Sequence, residues 1–184
     1  MSAFQFHPLP SPISPTKKYF DLGTHSSTIS TKSQDAQIWF DRGLIWSYAF
    51  NNEEGYCCFE QALAHDPDCA MAYWGLTYAT GPNYNKSWQL FDPTDLEHSF
   101  KVCYYASRKA EELADKENTR PVERALIKAI QFRFPVNRPV SDISALNCCS
   151  QTVVLIMSIV ASISIKPCRI LNLDLEDVCW APSH

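Results

Sequence analysis

Along WFDRGLIWSYAF, residues 39–50, apolar positions recur every three or four residues instead of alternating, which is the period of a helix. At 100° per residue, Trp39, Gly43, Trp46 and Phe50 share one stripe, while Phe40, Leu44 and Tyr48 share a second. A helix that is apolar on two sides needs cover on two sides. Ser33, followed by Asp35, predicts a capped helix start, and Asn51 with Glu54 three residues later predicts another. Pro67 predicts a stop. Residues 35–66 therefore read as a helix, a tight turn and a second helix, packed as an antiparallel hairpin. Glycine inside a helix costs about 1 kcal/mol relative to alanine. Gly43 thus predicts a close helix approach, with Gly55, Phe59 and Ala62 as the facing residues.

The helical pattern resumes in CAMAYWGLTYA and stops at GPNYNKSW, where Gly81-Pro82 cannot continue it. Asp92 as cap and Pro93 at the first helical position restart it, with Ala106, Ala110 and Leu113 on its apolar stripe. PVERALIKAIQFRF opens at Pro121 and places Val122, Leu126, Ala129 and Ile130 on one face. The expected fold class is all-α, built of antiparallel helical hairpins over residues 35–135. Residues 1–34, rich in Pro, Ser and Thr and without a period, read as a largely disordered arm. Residues 136–184 hold only seven charges, none of them between 143 and 165. The run TVVLIMSIVASISI favours strand locally, yet no neighbouring strands are on offer. Ser, Thr, Asn and Gln dilute it as a membrane helix. The favoured expectation is an irregular tail foreign to the preceding domain, as a shifted frame or retained intron would produce.

Trp39, Gly43, Trp46, Gly55, Phe59, Ala62 and Pro67 fall at the spacing W-x3-G-x2-aromatic-x8-small-x3-F-x2-A-x4-P, which resembles the tetratricopeptide repeat. Tyr73 and Leu76 stand 34 residues after Trp39 and Arg42, matching the period of that repeat. Arg42 departs from the leucine usual in the pattern, and Gly55 from alanine. Over about residues 19–135 the chain is similar to uncharacterised fungal and bacterial proteins with such repeats, which usually have histidine at the position of Asn52. The resemblance implies an α-solenoid in which Trp39, Gly43 and Trp46 pack internally. It also implies that Phe40, Leu44, Tyr48, Trp74 and Tyr78 line a concave groove that takes a protein or peptide partner. Lys and Asn, which would clamp a peptide carboxylate there, are replaced by Phe40, Leu44 and Gly75, so binding of chaperone tails is not expected.

A net charge of −4, with Lys17–Lys18 as the only notable basic pair, argues against a nucleic-acid surface. The eight cysteines form no C-x-x-C pair, and the N-terminus has neither the basic nor the apolar region of a secretory signal. A reduced, cytoplasmic protein follows, for which the triplet Asn85-Lys86-Ser87 has no consequence. Cys57, Cys58, His65 and Cys69 invite a metal reading, but adjacent helix positions diverge by about 100°, so the cysteines read as structural. His25, His65 and His98 are scattered and form no triad. No cofactor is expected. The groove must be covered, by a partner or by the protein's own arm or further repeats. The expected function is a non-catalytic interaction scaffold. The alternatives are a helical-repeat enzyme binding a small molecule near GPNYN, and a truncated product without independent function.

Overall fold

Four of the five α-helices among the described residues begin at a side chain that accepts from amides of the first turn or on a proline, which has no amide to satisfy. The computed structural model of the chain describes residues 6–16, 18–83, 86–116 and 119–140. The readings made for the tail from 141 onward lie outside the described residues. Helix α1 (Gln34–Tyr48) is capped by the Ser33 hydroxyl, which accepts from the Ala36 amide at 3.2 Å. Helix α2 (Asn52–His65) is capped by Asn51, which accepts from the Glu54 amide at 3.2 Å. Helix α3 (Ala70–Thr80) ends at Gly81. A short 3-10 turn (Trp88–Leu90) precedes α4 (Pro93–Lys116), whose Asp92 cap accepts from Thr94 and Asp95. Helix α5 (Pro121–Arg133) starts on its proline. The protein is all-α over the described residues, and no helix there is long and apolar enough to cross a membrane.

Consecutive helices pack on one another, and α3 also touches both α1 and α5. Gly43 of α1 lies against Phe59 of α2, and Ser47 lies against Gly55, so numbers rise on one helix as they fall on the other. The first two helices are therefore antiparallel. Trp74 of α3 reaches Leu126 of α5, and Arg133 at the end of α5 donates to the Pro82 carbonyl just past α3. Numbers rise together there, so α3 and α5 run parallel. Phe59, fully buried, is wedged between two glycines. A Cβ on Gly43 would lie 2.6 Å from its ring, and one on Gly75 closer still. At Gly55 a Cβ would lie 2.6 Å from the Ser47 hydroxyl, which is why glycine rather than alanine stands there.

The insertion after α3 is anchored by Trp88, stacked on Phe100 at 4.5 Å and set edge-on to Phe134. Its tip, positions 84–85, lies outside the described residues.

Residues 6–16 and 18–33, within the arm expected to be largely disordered, instead lie along the helices. The Trp39 indole donates to the Ile13 carbonyl at 2.9 Å, Arg42 to Pro15, and His65 lies 2.8 Å from Ile13 O. Trp46 donates to the Tyr19 hydroxyl, which donates to Glu54. Both tryptophans of the first stripe thus make these contacts with the arm, and Trp46 is only half-buried. Arg42, unusual for its position, sits over the rings of Tyr19 and Trp39 at 4.1 and 4.6 Å, where a guanidinium is attracted by the π faces.

One residue is held against its conformational preference. Phe50 closes α1 at a φ of 62°, with Asn51 N bonded to Trp46 O and Phe50 N to Ser47 O, the paired pattern that usually ends on glycine. Its ring is 61% exposed and contributes little burial. Phe50→Gly is expected to stabilise the fold by about 1 kcal/mol by removing the left-handed Cβ penalty. Chemical denaturation of the two chains would measure it, and an unchanged or lower midpoint would contradict the strain.

Candidate functional site

The second aromatic stripe of α1 meets α3 and α5 across a cleft. Phe40, Leu44 and Tyr48 from α1, Met71 and Trp74 from α3, and Leu126 from α5 line one cavity. The helical period puts them there: Phe40, Leu44 and Tyr48 lie four residues apart on α1, and the parallel run of α3 and α5 brings Trp74 beside Leu126. The Trp74 indole donates to the Leu126 carbonyl at 3.2 Å and stacks on Tyr78, with centroids 5.4 Å apart and planes 3° from parallel.

The expected partner-binding residues divide into two groups. Phe40, Leu44 and Trp74, expected to line a groove covered by a partner or by the chain itself, are all at least 96% buried. Tyr48 is 45% exposed, and Tyr78 is half-buried. Burial pushes the Tyr48 phenol up to about 12, with the neighbouring Tyr78 adding to it, and burial likewise raises Tyr78. Both hydroxyls stay protonated at neutral pH.

The cover comes from the chain itself. Ile29, 6% exposed, sits on this cleft within segment 25–31, which runs without helix or strand to a bend at Ser30. The main chain of that segment is gripped from both sides. Asp41 accepts from the Ser27 amide and the Ser26 hydroxyl at 2.9 and 2.7 Å, and Gln37 accepts from the Ile29 amide at 2.9 Å while donating to the Ser27 carbonyl. Across the cleft, Glu123 accepts from the Ser30 amide at 2.9 Å, and Arg120 donates to the Thr28 carbonyl. Glu123 is 1% exposed and also accepts from the Arg120 guanidinium and amide, so its charge is paired and hydrogen-bonded as burial requires. Of the two covers left open by the sequence, the internal one closes the three buried residues, through the arm and α5.

Gln37, Asp41, Arg120 and Glu123 were not singled out from the sequence. One signal pointed to the last two: Arg120-Pro-x-Glu123 has the three-residue spacing of a capping box, and its carboxylate half forms, with Glu123 accepting from the Arg120 amide at 3.2 Å. Gln37 and Asp41, four apart on α1, carry no signal that separates them from an ordinary solvated face.

The signature residues Ala62 and Leu76 are buried, Tyr73 is half-buried beside the Phe6 ring at 5.8 Å, and Pro67 is exposed in the turn after α2. Cys57 is exposed and Cys58 buried, diverging as adjacent helix positions must. Burial pushes the Cys58 thiol up to about 11, which makes it a poor nucleophile at neutral pH. A second cavity of about 560 Å³ lies between the α1–α2 turn and the start of α4. Its Lys86 is already held by Asp95 at 3.9 Å and by the Phe91 ring at 4.2 Å.

Compared with known proteins, the chain matches no family model, no curated protein and no solved structure.

Proposed function

We propose that the chain is a non-catalytic protein-interaction scaffold of tetratricopeptide-like hairpins, whose cleft between the parallel first helices takes an extended peptide. One observation carries this reading. Segment 25–31 is held there chiefly through its main chain, by side chains of α1 and α5, with a single aliphatic anchor over Phe40, Leu44 and Trp74. Bonds to amides and carbonyls give affinity for any extended chain, and the apolar seat selects the anchor. Asp41 and Glu123 beside the track disfavour acidic peptides and suit hydroxyl-bearing or basic neighbours. The seat needs no terminal carboxylate, in line with the missing clamp residues.

The test uses the full chain carrying Ile29→Arg, which unseats the anchor, and a labelled peptide corresponding to residues 22–32. Fluorescence anisotropy should show saturable binding. Adding Asp41→Ala should weaken it about tenfold or more, the worth of hydrogen bonds to a charged group. A folded Ile29→Arg chain that binds neither this peptide nor any member of an aliphatic-anchor peptide library would sink the reading.

A further inference from the structure

The hold on segment 25–31 is unlike the packing of the helices around it. Ile29 is its one buried side chain, and His25, Ser26 and Thr28 are exposed. It forms no secondary structure, and side chains reaching up from below hold its main chain. A cavity of about 60 Å³ remains beneath it, room enough for a water molecule, whereas helix cores close to crystal density. The caps of the flanking helices lie outside it: Ser33 caps α1, its own amide donating to the Thr31 hydroxyl, and Pro121 opens α5.

We propose that residues 25–31 are an autoinhibitory strap. The strap fills the cleft in cis and opens locally, with the helices intact, to admit a partner's extended segment; this rests on the peptide-groove reading above. Segments with few buried apolar contacts and exposed hydrogen bonds open at far lower free energy than core helices. A cleft that is open only part of the time binds its ligand more weakly in proportion to that fraction. The strap thereby sets the apparent affinity of the site. Its latch is also sensitive to charge: the Ser26 hydroxyl donates to Asp41, and a negative group at position 26 would face that carboxylate with like sign.

Amide hydrogen exchange on the unmodified full chain tests the opening without any ligand. The amides of Ser27, Ile29 and Ser30 should exchange at least about tenfold faster than those of α1 and α3, yet slower than in the free peptide 22–32. Ser26→Asp should speed them further while leaving the helix amides and the melting temperature in place. Strap amides as protected as the helices, or as unprotected as the free peptide, would overturn the proposal. The binding arm separates its failure from that of the groove. Ile29→Arg should bind the labelled peptide at least about tenfold more tightly than the unmodified chain. Equal affinity would overturn the strap and leave the groove standing. Absence of binding to both chains would overturn the groove.

Discussion

Phe59→Ala is expected to lower stability by about 3–5 kcal/mol, the range for deleting a buried aromatic side chain. That is a large part of the roughly 5–15 kcal/mol that holds an ordinary domain together. The ring is fully buried, lies 5.5 Å from the ring of Phe40, and fills the space left by two glycines on different helices. Gly43 and Gly75 have no side chains to move into the void, so the cavity cannot collapse without moving α1 or α3. Denaturant unfolding measures the loss. The glycines supply a sharper check. Gly75→Ala alone should be destabilising by about 1–3 kcal/mol from overpacking, partly offset by about 1 kcal/mol of helix preference. In the Phe59→Ala background the added methyl has room, so the double mutant should be more stable than the sum of the two changes predicts. Strict additivity would mean that α1 and α3 do not clamp the ring.

Trp74→Ala should cost about as much, about 3–5 kcal/mol. Its indole is 1% exposed, is hydrogen-bonded to Leu126 and is stacked on Tyr78, so its removal opens the wall that α3 shares with α5. Loss of partner binding in this variant would therefore report loss of fold. Tyr48→Ala separates the two effects, because its ring stands 45% exposed at the mouth of the cleft. A melting temperature for Trp74→Ala near that of the unmodified chain would contradict the burial described here.

The Gly43–Phe59 half of the clamp was legible in the sequence because both of its physical signals are local, whereas the Gly75 half was not. Glycine in a helix interior is unfavourable unless something approaches, and the approaching residue lies on the next helix of the same hairpin, sixteen positions from Gly43. The second aromatic stripe was legible for the same reason, since helical period alone groups Phe40, Leu44 and Tyr48. Periodicity reports that a face is apolar and says nothing about what lies upon it. The same pattern suits an open groove and a covered one, so the accessibility of Phe40, Leu44 and Trp74 could not be read from it. The arm misled for a related reason. An irregular segment bonded to side chains leaves no period, and its Ser, Thr and Pro content is that of a disordered chain.

By itself the sequence determined the helices and their ends. Caps such as Ser33, Asn51 and Asp92 act on amides two or three residues away, and the apolar period repeats within a turn. It also determined which residues must be buried somewhere. Tertiary structure alone decided what covers them: the seat of Ile29 over the cleft, the Ser30–Glu123 bond across 93 positions, and the placing of Arg42 between Tyr19 and Trp39. Such contacts depend on where α1 and α5 come to lie relative to each other. That placement follows from packing all the helices at once, and no local stretch of the chain encodes it.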